Sequence, residues 1–91
     1  MTKKRNKLEI IKDILEVIKN KNGKIKPTHI LYKSNLSYSM MDEYLTELIG
    51  KNFIEEKISG KNKTYSVTAK GFKFLEQYSM IEDFTTSFGL E

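Results

Sequence analysis

Two short helical patterns follow one another in the middle of the chain, with only a few residues between them. The first is about two turns long, because Ser34-Asn35 indicates a turn soon after the predicted N-cap residue Thr28. The second begins after another N-cap, Ser37, and ends at Gly50 or Asn52. Its apolar side chains recur on one helical face: Met41, Leu45, Leu48 and Ile49. Two short helices at this spacing are typical of a helix-turn-helix unit.

The flanking segments predict a preceding helix, a β-hairpin and a last helix. Residues 8–19 have the apolar periodicity of a helix, and Asn22-Gly23 follows as its predicted end. Residues 53–59 and 63–68 are β-prone and flank the turn residues Gly60-Lys61-Asn62. Thr68 is the predicted cap of a helix that starts at Ala69. The fold class is therefore mainly α with a small β-hairpin, in winged helix-turn-helix order with an added C-terminal helix.

The length and composition limit the chain to one small domain. We assign residues 1–7 to a basic N-terminal arm, 8–68 to the winged helix-turn-helix domain and 69–91 to a C-terminal dimerisation helix. With 38% hydrophobic and 31% charged residues, the chain is too apolar for a disordered protein and too polar for a membrane protein. The absence of cysteine excludes disulfide scaffolds and favours a reducing compartment, so we expect a cytoplasmic, nucleoid-associated protein.

Charge is distributed in blocks behind a net value of +4. Residues 1–34 carry +7 and residues 51–73 carry +4, whereas residues 35–50 carry −3 and residues 74–91 carry −4. The basic blocks could face a polyanion, and the acidic C-terminal block should not. Solvated charged faces without a partner remain the alternative explanation of such blocks.

Five segments resemble the archaeal winged helix-turn-helix DNA-binding family that includes the crenarchaeal ten-kilodalton chromatin-like proteins. They are LEIIKDIL at 8–15, ILYKSNLSY at 30–38, YLTELI at 44–49, FIEE at 53–56 and YSVTAKGFKFLE at 65–76. The ILYKSNLSY run followed by YSVTAKG is the more specific part of the likeness. The resemblance implies binding to double-stranded DNA, usually as a dimer whose C-terminal helices pair as an antiparallel coiled coil.

Two departures from that family pattern change what we expect. Asn52 stands where family members commonly have Gly before the first wing strand, and Asn also tolerates a positive φ angle. The last segment, EQYSMIEDFTTSFGLE, is short and aromatic rather than a run of clean heptads. We therefore expect a more compact dimer than the long coiled coil of the family.

The second helix of the central unit is the predicted recognition helix, which enters the major groove with its N-terminal residues first. Its exposed edge begins with Ser37, Tyr38, Ser39 and Met40, which can reach bases, thymine methyl groups or sugars. Glu43 or Asp42 could accept a hydrogen bond from a cytosine amine, but Asp42, Glu43 and Glu47 more readily repel phosphate and set the orientation of the helix. Arg, Asn and Gln are missing from this edge, so weak base readout is expected. Tyr38 and Met40 could alternatively complete the rim of the core.

Cations elsewhere are predicted to hold the DNA backbone. The wing tip contributes small donors and lysines, namely Lys57, Lys61, Asn62 and Lys63. The arm contributes Lys3, Lys4, Arg5 and Lys7, and the first helix of the unit contributes Lys26, Thr28, His29 and Lys33. The N-terminus of that helix could also accept a phosphate on its free amides.

The C-terminal helix has more apolar surface than one small core can cover. Its predicted dimerisation stripe consists of Phe74, Tyr78, Ile81, Phe84 and Phe88. The alternative is that this stripe folds back on the first helix of the same chain.

Catalysis, metals and cofactors are not expected. His29 is the only histidine, no cysteine exists, and the five glycines are dispersed rather than grouped in a phosphate-binding loop. The predicted partners are double-stranded DNA and a second copy of the chain, without a membrane. A winged helix used for protein–protein contact remains the alternative, because the recognition edge carries three carboxylates.

Overall fold

A computed structural model describes residues 5–21 and 24–90. The elements occur in the predicted order: α1 Lys7–Asn20, α2 Pro27–Ser34, α3 Tyr38–Gly50, β1 Ile54–Ser59, β2 Asn62–Val67 and α4 Ala69–Ser87. The predicted fold class, mainly helical with one β-hairpin, is confirmed. The predicted helix end at Asn22-Gly23 lies outside the described residues.

Two of the three predicted helix caps are confirmed, and one is wrong. Ser37 accepts a hydrogen bond from the Met40 amide, and Thr68 accepts one from the Gly71 amide. Thr28, in contrast, lies inside α2, because Pro27 occupies its first position and Lys26 is the N-cap residue. Proline suits the first helical position because its missing N–H group would have no intrahelical acceptor there.

Two asparagines adopt the left-handed backbone conformation at the ends of helices. Asn35 has φ 54° at the C-cap of α2, and Asn52 has φ 64° between α3 and β1. Asn52 therefore adopts the positive φ that was expected where the related family has glycine.

One apolar core joins all the elements. α1 supplies a full stripe to it, because its apolar residues recur at helical spacing. The other helices, the hairpin and Ile25 close over that stripe. The completely buried apolar side chains are Ile14, Leu15, Ile18, Ile25, Ile30, Leu48 and Ile54.

The wing is an antiparallel hairpin whose register runs from Ile54↔Val67 to Ser59↔Asn62. Asn62 is thus the first residue of β2 rather than part of the turn, which consists of Gly60 and Lys61. Gly60 has φ +60°, the positive angle that such tight hairpin turns require. Ile25 forms an additional antiparallel bridge with Tyr65, which fixes the extended residues before α2 against the wing.

The last helix is packed on the core only through its first half. Its buried residues are Gly71 and Leu75, whereas its 19 residues extend roughly 28 Å. Phe74 packs edge-on against Phe53 at 5.7 Å, and Tyr78 lies beneath the ammonium group of Lys12. The predicted exposed stripe is therefore corrected at these two positions, where the helix still runs alongside the body of the domain.

Candidate nucleic-acid interface

The first turn of α3 presents exposed side chains at the start of the predicted recognition helix. Tyr38 is 67% exposed and Met40 is 38% exposed, so neither side chain is buried in the core. Ser39 and Glu43 are also exposed on this helix. The α3 core face consists of Met41, Leu45 and Leu48, as its periodicity predicted.

A groove of about 280 Å³ separates α3 from the wing. It is lined on the α3 side by Tyr38, Asp42 and Thr46, and on the wing side by Lys63 and Glu56. The exposed edge of the recognition helix and both strands of the wing thus face the same concavity. This is the arrangement that the predicted DNA binding requires, with a wing lysine and the Tyr38 end of α3 on the same side.

Tyr65 lies at the boundary between this groove and the core. Its side chain is buried, and burial together with the nearby carboxylates of Glu56 and Asp42 raises the pKa of the phenol to about 12. The hydroxyl group stays protonated at neutral pH, and its hydrogen bond to Glu56 contributes to the raised pKa.

The wing carries its predicted cations on exposed positions. Lys57, Lys61 and Asn62 are exposed, and within the part of the chain that the structure describes neither lysine has a carboxylate at ion-pair distance. Lys63 pairs with Glu56 across the hairpin at 3.5 Å, and the carboxylate is the less exposed partner. The pair consequently presents its cation toward solvent.

The α2 residues that are predicted to contact the DNA backbone lie at the two ends of this helix. Lys26, Thr28 and His29 are exposed at the N-terminus, where the Lys26 carbonyl accepts hydrogen bonds from His29 and Ile30. Lys33 is exposed in the last turn and lines a shallow depression with Lys21. These side chains are free of ion pairs among the described residues.

The described residues of the predicted basic arm are held against the folded domain. Arg5 contacts Asp13 of α1 and the backbone at the end of α2, and Lys7 is the first residue of α1. These contacts hold Arg5 and Lys7 on the folded domain rather than in a flexible arm, and the predicted phosphate contacts of both residues stay predictions. Contacts between residues this distant along the chain leave no spacing pattern in the sequence. Lys3 and Lys4 lie outside the described residues.

Glu47 is the carboxylate of the recognition edge that is neutralised within the chain. Its Oε2 atom lies 2.9 Å from Nζ of Lys7 and 3.0 Å from Nζ of Lys51. Hydrogen bonds from Lys7 and Lys51 lower the pKa of this carboxyl group. Only Asp42 and Glu43 of the three carboxylates thus remain exposed without such a pairing among the described residues.

Neither a metal-binding cluster nor a membrane-spanning helix occurs in the described ranges. Residues 5–21 and 24–90 contain no group of three or more metal-ligating His, Asp or Glu side chains. In the same ranges, every helix is too short or too polar to cross a bilayer.

Comparisons with solved structures agree with this architecture. Sso10a-2, a DNA-binding protein from Sulfolobus solfataricus, superposes with a TM-score of 0.74 at 26% identity, over 91% of this chain and 87% of that one. The multiple antibiotic-resistance repressor of Listeria monocytogenes superposes with a TM-score of 0.69 at 14% identity, over 88% of this chain and 58% of that one. The second likeness shows the shared fold alone.

Sequence comparison gives the family. An uncharacterized protein of Methanocaldococcus jannaschii is 38% identical over 74 residues, which are 81% of this chain and 32% of that protein. The chain thus spans about a third of the length of this relative. A sequence model of the winged helix-turn-helix family matches residues 4–86, which include the unit formed by α2 and α3, the wing and nearly all of α4. The chain belongs to the winged helix-turn-helix family.

Proposed function

We propose that the protein binds double-stranded DNA, with α3 in the major groove and the wing on the adjacent backbone. The observation that carries this proposal is the groove shared by α3 and the wing, which puts Tyr38 and Lys63 on one concave side. A helix that enters a major groove needs cations beside it to engage the flanking phosphates. The similarity to the DNA-binding protein Sso10a-2 supports the same function.

Base contacts in this arrangement come from the first turn of α3. Ser39 serves as a small donor or acceptor, and Met40 and Tyr38 contact thymine methyl groups or sugars. Glu43 accepts from a cytosine amine. Because α3 carries no Arg, Asn or Gln, sequence discrimination is low.

Phosphate contacts surround that helix. On the wing they come from Lys57, Lys61, Asn62 and Lys63, and on α2 from Lys26, Thr28, His29 and Lys33. Lys3 and Lys4 retain the proposed role of an arm. Phosphate neutralisation supplies affinity without sequence information, so the function is either transcriptional regulation or chromatin-like compaction of a cytoplasmic nucleoid.

A second copy of the chain completes the proposed DNA-binding unit. The C-terminal part of the chain, from the second half of α4 onward, exposes a set of large apolar side chains: Met80, Ile81, Phe84, Phe88 and Leu90. A patch of this kind is typical of a protein interface. Two-fold pairing of α4 through Ile81, Phe84 and Phe88 would present two α3 helices to one duplex.

A salt titration of DNA binding tests the function. Fluorescence anisotropy with a random-sequence duplex should give binding at low salt that weakens with a log–log slope of about −4 per protomer, since about 4–5 phosphates are neutralised. Absence of binding at low salt would reject the proposal and favour the protein–protein alternative. A selection experiment then separates a regulator, which enriches one site, from an architectural protein, which enriches none.

A solution-mass measurement tests the pairing separately. We expect the mass of a dimer for the unmodified chain and that of a monomer for Phe84→Ser. Lys73→Ser, an exposed change in the first half of α4, serves as the control and should stay dimeric.

A further inference from the structure

An isoleucine on the wing is exposed in the midst of the proposed phosphate contacts. Ile58 is 65% exposed, whereas Ile54 on the same strand is completely buried. Lys57 precedes it along β1, and Lys63 faces it across the hairpin in the register Ile58↔Lys63. Lys61 lies in the turn next to them. Lys63 is thus the cation directly opposite this apolar branched side chain, whereas Lys57 lies on the other face of β1.

The strand register decides which way this face of the wing is turned. Alternate residues of a strand share a face, so Ile58 lies on the face of Ile54 and Glu56. Their cross-strand partners include Tyr65 and Lys63. Since Glu56, Lys63 and Tyr65 line the groove beside α3, Ile58 continues that groove-facing side toward the wing tip.

We propose that Ile58 is an apolar wedge that enters the DNA minor groove beside the bound α3 helix and partly unstacks one base step. This inference rests on the proposed DNA binding. With α3 in the major groove, the next groove along the duplex is the minor one, which is about 6 Å wide and admits a hairpin tip but not a helix. The lysines around Ile58 match the phosphates on the groove rims, and the apolar group meets sugars and base edges between them.

The wedge gives the protein a preference for deformable DNA without hydrogen bonds to bases. Pyrimidine–purine steps unstack most easily, so a TA or CA step at the wing position should bind better than a stiff A-tract. This readout would complement α3, which lacks the residues that make strong bidentate base contacts.

Energy transfer between dyes at the ends of a duplex of about 30 base pairs tests the proposal through DNA bending. Bound wild-type protein should bend a duplex with a central TA step by about 20–90°. Ile58→Ala should abolish the bend and weaken binding about tenfold at an unchanged salt slope, because it removes apolar contact and no cation. Ile58→Val should retain most of the bend.

Ile58→Lys separates the wedge from general attraction to phosphate. The added cation should steepen the salt slope while the bend is still lost. Each variant should keep the wild-type thermal midpoint, since position 58 is exposed.

Three results would overturn the inference. If wild-type protein fails to bind duplex at low salt, the proposed function falls and the wedge falls with it. If wild-type protein binds but leaves the duplex straight, or Ile58→Ala bends it equally, only the wedge is rejected. If Ile58→Ala changes the solution mass without DNA, Ile58 is a protein contact instead.

Discussion

Nη1 of Arg5 lies 2.7 Å from Oδ2 of Asp13. The other guanidinium nitrogen, Nη2, donates to the carbonyl oxygens of Ser34 and Asn35 at 2.8 and 3.2 Å. Helix C-termini leave their last carbonyls without intrahelical partners, and here one cation satisfies two such groups while it holds α1 beside α2. The N-terminal basic segment is therefore in part a clamp between two helices.

We expect Arg5→Ala to lower the free energy of unfolding by about 1–2 kcal/mol, because charged hydrogen bonds to a carboxylate and to backbone carbonyls are lost together. Urea unfolding measures this effect. Lys61→Ala is the matched control, since Lys61 is exposed and should change stability by less than about 0.5 kcal/mol.

DNA binding should rank the same two variants in the opposite order. At a temperature where both are folded, Lys61→Ala should make the salt slope shallower by about 1, and Arg5→Ala should leave the slope unchanged. A reduced slope for Arg5→Ala would mean that its guanidinium leaves Asp13 to contact phosphate.

Two serines at the α2–α3 junction should respond oppositely to alanine substitution. Ser34 is 1% exposed, and its hydroxyl has no hydrogen-bond partner among the described residues. Ser34→Ala should therefore be neutral or stabilise the fold by up to about 1 kcal/mol, because an unpaired polar group leaves the core. Ser37→Ala should destabilise it by about 1 kcal/mol through loss of the α3 cap. Thermal unfolding of both variants checks the sign, and clear destabilisation by Ser34→Ala would contradict the first expectation.

Gly71 allows α4 to approach the start of the wing closely. A Cβ atom there would overlap the carbonyl oxygen of Phe53 and Cγ1 of Val67. We expect Gly71→Ala to cost roughly 1–3 kcal/mol of unfolding free energy, as in other overpacked cores. Gly50→Ala is the control, because open space surrounds Gly50 at the end of α3 and alanine is the better helix former by about 1 kcal/mol. Equal denaturation midpoints for the two variants would argue against the close contact.

The pairing of Glu47 with Lys7 and Lys51 should make stability depend on pH in the acid range. Because the folded protein lowers the pKa of Glu47 below its ordinary value of 4.5, the stabilisation is present above pH 4.5 and is lost as pH falls through the folded-state pKa. Glu47→Gln should therefore have a lower thermal midpoint than wild type at neutral pH, and the difference should shrink in acid. Salt near 1 M should shrink it at neutral pH as well. A difference that stays constant with pH would contradict this expectation.

Local patterns predicted most of the architecture and little of the long-range polar contacts. Ser37 and Thr68 were identifiable as caps because a cap depends on residues three positions apart. The α2 N-cap was misplaced by two residues, at Thr28 instead of Lys26, since Pro27 can both end an extended segment and open a helix. Arg5 reaches the C-terminal end of α2, and Glu47 reaches Lys7 at the start of α1. Such contacts follow from packing angles that periodicity does not contain.

The exposure of the predicted dimerisation stripe likewise depends on packing that periodicity does not contain. Periodicity placed Phe74 and Tyr78 with Ile81 and Phe84, but the last buried residue of α4 is Leu75, and Ile81 and Phe84 are exposed although Glu82 still pairs with Lys12 of α1. How far along a helix the side chains are buried depends on the elements packed against it. The apolar pattern of α4 alone does not contain this information.

α4 is one uninterrupted helix from Ala69 to Ser87, anchored in the core at Leu75 and exposed at Phe84. It therefore acts as a rigid lever: a small rotation at its outer end would swing the whole attached body through a larger arc. In a pair built on these levers, the crossing angle of the two α4 helices would set the distance between the two α3 helices, and hence the number of base pairs between the half-sites they can occupy.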